Sequence, residues 1–326
     1  MSFDVTITDV LLAGRRIAGR VRRTPLERSP ALSRLSGADV RLKLENQQLT
    51  GSFKLRGAMN RMLAMGDEER ARGVITCSSG NHAQAMAMAA QALHTRTVIC
   101  VPGQCPQVKR GAILERGGDW VELRVVGTFY DEAEEECLRM AERESLTFVS
   151  AFDDPLVAAG QGTAGLEMLL DEPELDAILC PISGAGLIRG VGVAARALRP
   201  GIKVWGAHAE VTPAWPEALV RGRVEPAVEE VSIADALGGG ACQSHFDFVK
   251  NELAGVVSVS EDEIAEGIRF LFENHRQAAE GGGAVALAAL LAGKLASSLE
   301  RGSRIGVVVS GGNIGRETFV KALTRG

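Results

Sequence analysis

From Gly73 onward, short apolar runs alternate with helix-patterned segments, and that alternation limits the possible folds more than any other feature. Strand runs stand at residues 74–77, 97–101, 120–126, 148–149, 177–180, 203–207 and 305–309, with helical patterns between them. Strand, helix and strand in succession imply parallel pairing through right-handed crossovers. So many strands imply two open, mainly parallel sheets with helices on both faces, an α/β fold in two domains with a cleft between them. Upstream, residues 6–18 have helical spacing and Ser29-Pro30 opens a brief helix ending near Gly37. Residues 40–44 read as a strand in which Arg41 and Lys43 alternate with apolar neighbours. Thr128 is placed to cap a helix whose acidic run, 131–136, forms a solvated first turn. Ser260 and Glu263 have capping-box spacing, and an Ala/Leu helix is expected over 284–297.

Three strand ends share one grammar: an apolar strand, a loop of small polar residues, then a helix. They are Ser78-Ser79-Gly80-Asn81-His82, Ser183-Gly184-Ala185-Gly186-Leu187 and Ser310-Gly311-Gly312-Asn313. Such loops present backbone N–H groups at helix starts, where anions bind, and in open α/β sheets they gather at the strands' carboxyl ends. A fourth loop, Glu45 to Ser52, leads from the 40–44 strand into a helix with Leu55, Ala58, Met59 and Met62 at helical spacing. With Ser52 as its N-cap, Lys54 falls in the first turn. The positive end of the helix dipole disfavours an ammonium there, which lowers the pKa and suits a Schiff-base or proton-abstracting amine. A solvated surface lysine is the competing reading.

Gly184, Gly186 and Gly190 also make a GxGxxxG variant of the dinucleotide fingerprint, with Glu210 placed near the end of the next strand as a ribose-binding acid. An NAD-dependent oxidoreductase is therefore an alternative, although it leaves Lys54, Asn81 and Ser310 without a role.

The net charge of −5 gives no electrostatic reason for a nucleic-acid or anionic-membrane partner. The 326 residues contain no apolar run of bilayer length and no apolar signal core at the N-terminus. Cys77, Cys100, Cys105, Cys137, Cys180 and Cys242 lack paired metal-ligand spacing and read as free thiols, which points to a cytoplasmic protein. His94, His245 and His275 read as isolated structural or exposed residues, and Met59, Met62, Met86 and Met88 as core filler.

Residues 43–58, KLENQQLTGSFKLRGA, with SSGNH at 78–82 and SGGN at 310–313, resemble the fold-type II pyridoxal-phosphate enzymes, the tryptophan synthase β-like group. The threonine/serine dehydratase and serine racemase branch is the most similar, over nearly the whole chain. The segments 233–240 and 280–284 resemble the subgroup associated with hydroxyectoine utilisation. The resemblance implies a large cofactor domain of residues 1–50 plus 151–326, a small domain of 51–150, and a homodimer.

It also implies roles. Lys54 forms the Schiff base with pyridoxal 5'-phosphate and Phe53 packs near it. Asn81 bonds the ring's phenolic oxygen, Ser183, Gly184, Ala185, Gly186 and Leu187 cradle the phosphate, and Ser310 meets the pyridine nitrogen. Ser78, Ser79, Asn81 and His82 receive the substrate carboxylate. Ser79 matches the opposite-face acid of the racemases, which makes an amino-acid racemase a second alternative. The implied reaction is β-elimination from threonine, serine or a hydroxyectoine-derived amino acid, giving a 2-oxo acid and ammonia. Two positions depart from the pattern. Ser183 and Ala185 stand where glycines are usual, and alanine suits that loop if its φ is negative. Relatives' divalent-cation site uses a Glu at the position of Glu210 and an Asp six residues on, which here is Pro216.

Overall fold

The computed structural model describes residues 4–225, 231–238 and 240–325. Among these, the strands are β1 (Leu26–Arg28), β2 (Asp39–Leu44), β3 (Val74–Cys77), β4 (Thr97–Val101), β5 (Val121–Val125), β6 (Thr147–Phe148), β7 (Ala177–Pro181), β8 (Lys203–Ala209), β9 (Gly255–Val259) and β10 (Arg304–Val309). They form two sheets, ordered β1-β2-β10-β7-β8-β9 and β5-β4-β3-β6. Every pairing is parallel except β1 with β2.

The last strand in the chain, β10, sits inside the larger sheet between β2 and β7. Its register pairs Val309 with Leu44 and Val307 with Leu179. All three strands therefore end at one edge, where β2 delivers the lysine segment, β7 delivers Ser183 and β10 delivers Ser310. Parallel pairing alone brings three loops from distant parts of the chain to one place.

The helix Lys54–Leu63 lies against the helix Pro155–Asp171, and glycine sets their distance. A Cβ on Gly160 would stand 2.6 Å from the Gly57 Cα, so neither position has room for a side chain. A buried ion cluster fixes the same helix. Arg56 is fully buried; its Nε and Nη2 donate to Glu45 Oε2 and Oε1 at 2.8 Å each, and its Nη1 donates to Glu167 Oε1 at 2.7 Å. Lys43 alternates with apolar neighbours along β2 but does not face solvent. It is fully buried and pairs with Glu167. Removing one partner from such a cluster strands a buried charge.

The apolar helix runs from Gly281 to Leu291, starting three residues before and ending six residues before the span its Ala/Leu pattern suggested. Residues 281–290 are all buried, which explains why no face of it is polar. Gly293, at φ +70, closes the last turn. Ser260 caps its helix in a capping box with Glu263. Thr128 does not cap the acidic helix Tyr130–Glu144; its own N–H donates instead to Glu132 Oε2. All six cysteines are free. Among the described residues, no helix is long and apolar enough to cross a membrane.

Candidate active site

Lys54 opens its helix, but Phe53 rather than Ser52 occupies the cap position, and no side chain caps it. The cause is tertiary. Ser52 bridges to Gly311, and the Phe53 N–H donates to the Ser310 carbonyl at 3.0 Å, so the lysine segment is sewn to the end of β10. The Lys54 Nζ donates to the Ala151 carbonyl at 3.0 Å and stands 5.1 Å from the centre of the Phe53 ring. Burial lowers its pKa to about 8, against a smaller upward pull from Glu280. Desolvation is thus the main cause of the shift anticipated for this amine.

The loop after β3 leads into the helix Asn81–Leu93. Ser78, Ser79, Gly80 and Asn81 are half-buried, and the Ser78 hydroxyl accepts from the Gly80 N–H. Asn81 joins three segments. Its Oδ1 accepts from Asn313 Nδ2 at 2.7 Å, and its Nδ2 donates to Glu280 Oε1 at 2.6 Å. Asn313 in turn donates to the Thr50 carbonyl, back in the lysine segment. One Asn81 N–H then has a hydrogen to offer a ligand oxygen. His82 is buried; burial, followed by the nearby Lys54 charge, lowers its pKa to about 3, so it is a neutral imidazole.

The third loop reaches the lysine through Phe152. A Cβ on Gly184 would overlap the Phe152 ring at 2.3 Å, and one on Gly186 would stand 2.9 Å from the Phe152 carbonyl oxygen. Phe152 follows Ala151, the residue that holds Lys54. The Ser183 carbonyl accepts from the Trp215 indole. The helix Gly186–Leu198 begins at a buried turn, whose first N–H groups have no acceptor within the helix. Ala185 has φ +66, so the condition of a negative φ is not met and this alanine holds a left-handed conformation.

Ser310 is buried, and its hydroxyl donates to the Gly282 carbonyl at 3.1 Å. Glu280, just before that turn, is almost wholly buried. Burial raises its pKa to about 7, reinforced by Asp235 and opposed by the bond from Asn81.

The chain matches the family described as "Pyridoxal-phosphate dependent enzyme" over residues 17–311. It belongs to that family. It is 39% identical to the L-threonine ammonia-lyase of Thermotoga maritima over 324 residues, 99% of this chain and 79% of that protein. It is 33% identical to the catabolic L-threonine dehydratase TdcB of Escherichia coli K12, over 95% of this chain and 93% of that one. The structure of maize serine racemase superposes with a TM-score of 0.92 at 31% identity, covering 98% of this chain and 97% of that one.

The residues present fit the family's cofactor. A half-buried amine of lowered pKa, a buried helix start, a carboxamide with a donor to offer and a buried hydroxyl are tied to one another by the contacts above. The glycine spacing that suggested a dinucleotide answers instead to packing: a Cβ on Gly190 would stand 2.2 Å from the Ala158 carbonyl oxygen of the neighbouring helix. Glu210 is exposed, just past the end of β8. Among the described residues, the group that could hold a metal ion is Asp153, Cys242 and His245, and His245 is fully buried. In the 233–240 segment, Gly239 lies outside the described residues.

Ala151, Phe152, Asn313 and Glu280 have parts in this site that sequence reasoning did not assign. For Glu280 a signal existed in an acid followed by three glycines at the head of an apolar helix.

Proposed function

We propose that this enzyme is a dehydratase, an ammonia-lyase that eliminates the β-hydroxyl of an amino acid and releases a 2-oxo acid and ammonia. The substrate class is a β-hydroxy amino acid, with threonine, serine and hydroxyectoine-derived amino acids as candidates. The observation that carries the reading is Ser310, a buried neutral hydroxyl at the end of β10, bonded through its backbone to the residue before Lys54. When bound, pyridoxal phosphate supplies the electron sink for charge developing at the substrate Cα. A hydroxyl rather than a carboxylate at its ring nitrogen favours prompt elimination over a long-lived carbanion.

The chain's own residues do the rest. Lys54, whose ammonium is disfavoured by burial, takes the Cα proton as a neutral amine. The start of the helix Asn81–Leu93 receives the substrate carboxylate with Ser78, Ser79 and the neutral His82. The buried start of the helix Gly186–Leu198 holds the phosphate with Ser183 to Leu187. Asn81, oriented by Glu280 and Asn313, supplies a donor for the ring oxygen. Ser79 stands in the same loop as a group able to hold a proton, which is the observation favouring racemisation as a second activity.

The two sheets support a division into a domain of residues 1–50 plus 151–326 and a smaller one of 51–150, with this site in the cleft. Six free thiols support a reducing, cytoplasmic setting. A homodimer is the assembly proposed, to be tested by light scattering. The activity test supplies pyridoxal phosphate and each candidate substrate, then follows ammonia, 2-oxo acid and enantiomer. Equal release of ammonia and 2-oxo acid supports the dehydratase; D-serine formed from L-serine without ammonia makes the racemase the main activity.

A further inference from the structure

Next to the phosphate-side loop, three side chains from two segments stand together with no part in the chemistry above. Asp153, Cys242 and His245 each bring one donor atom to a place where all three lie within 4.8 Å of one another. We propose that they form a binding site for a single borderline-soft divalent cation, zinc being the type, and that this ion clamps the floor of the cofactor site.

The donor set decides the class of ion. One sulfur, one imidazole nitrogen and one carboxylate oxygen suit zinc, whereas magnesium and calcium take oxygen ligands. In a tetrahedral zinc site the ligand atoms stand about 3.3–3.6 Å apart, so the three donors need close by only about an ångström. Three protein ligands leave a fourth position for water.

The surroundings match what such sites need. His245 Nε2 lies 3.2 Å from the Phe152 carbonyl oxygen, the kind of backbone contact that orients an imidazole. Ser244 donates to Asp153 Oδ1 at 2.6 Å and its Oγ lies 3.1 Å from Cys242 Sγ, so a hydroxyl already links two of the donors. The turn Gln243–His245 sets Cys242 and His245 three residues apart. His245 is buried, Cys242 half-buried and Asp153 exposed, which gives the ion an entry from the Asp153 side.

The position gives the ion its consequence. Asp153 directly follows Phe152, which packs on Gly184 and Gly186, and Ala151, whose carbonyl holds Lys54. Joining Asp153 to the 242–245 turn ties down the segment on which both the lysine and the phosphate loop rest. None of the three donors is Glu210, and the ion's binding does not depend on which substrate the enzyme takes.

The test uses holoenzyme stripped with a chelator and titrated with cobalt(II) alone, then with zinc alone. The wild type is expected to bind one cobalt per chain with a thiolate-to-cobalt absorption band, and zinc is expected to displace it and raise the thermal midpoint. Cys242→Ser should lose the band and the zinc-dependent shift while keeping its cofactor absorbance, which shows that it is folded. Asp153→Asn should weaken cobalt binding at least tenfold. Absence of a stoichiometric band in the wild type, or its retention in Cys242→Ser, would overturn the proposal.

Discussion

Glu280 and Asn81, 199 positions apart in the chain, meet through a 2.6 Å hydrogen bond from Asn81 Nδ2 to Glu280 Oε1. A carboxylate buried beside Lys54 is costly in its charged form, and its pKa accordingly rises to about 7. The residue orients Asn81, and the fold carries the cost.

That cost is measurable in the apoenzyme. A carboxyl whose folded-state pKa lies above its unfolded value stabilises the fold at low pH, and this contribution is lost as pH rises from about 4.5 to about 7. Glu280→Gln keeps an acceptor for Asn81 but cannot ionise. It should stabilise the apoenzyme at pH 8, by on the order of 3 kcal/mol. Urea denaturation should show the gain shrinking as pH falls through that window.

Lys54 makes a kinetic prediction. With its pKa lowered to about 8 from 10.5, the fraction of neutral amine rises with pH and levels off above about 8. Stopped-flow capture of pyridoxal phosphate by the apoenzyme should follow that curve. A rate still climbing toward pH 10.5 would place Lys54 in contact with solvent.

Arg56 is a matter of stability. Its fully buried guanidinium neutralises Glu45 and Glu167, so Arg56→Met leaves those carboxylates without it in an apolar setting. The expected loss is about 3–5 kcal/mol by chemical denaturation. A loss below about 1 kcal/mol would mean that Lys43 alone compensates both acids.

Ala185 holds φ +66 in the loop before the helix Gly186–Leu198. Ala185→Gly removes the Cβ that makes this conformation unfavourable and should stabilise the protein by about 1 kcal/mol. Thermal unfolding of both forms checks it, and cofactor affinity should be retained because the backbone conformation is unchanged.

The lysine, the three loops and the α/β class were legible because each is local: a strand, a loop and a helix start lie within about fifteen residues. Contacts that join distant segments were not legible. Ser52 reads as a cap until the Phe53 N–H is seen to bond Ser310, 257 positions away by subtraction of their numbers. Nothing in the 40–44 run shows that Lys43 pairs with Glu167, 124 positions away. The left-handed turn at Ala185 occurs at a residue type that gives no sign of it, and the insertion of β10 between β2 and β7 leaves no mark on any single strand. Gly190 shows the reverse: its spacing suggested a ligand, and its environment is a helix packed against it.

The central claim is that Lys54 is the amine that binds the cofactor. Borohydride reduction of the holoenzyme followed by peptide mapping tests it directly. The yellow absorbance should be lost and the reduced cofactor found on the peptide containing Lys54. Lys54→Ala should bind the cofactor without covalent attachment and lose at least a thousandfold in elimination rate. A protein that acquires no chromophore, or a label on a different lysine, would contradict the account.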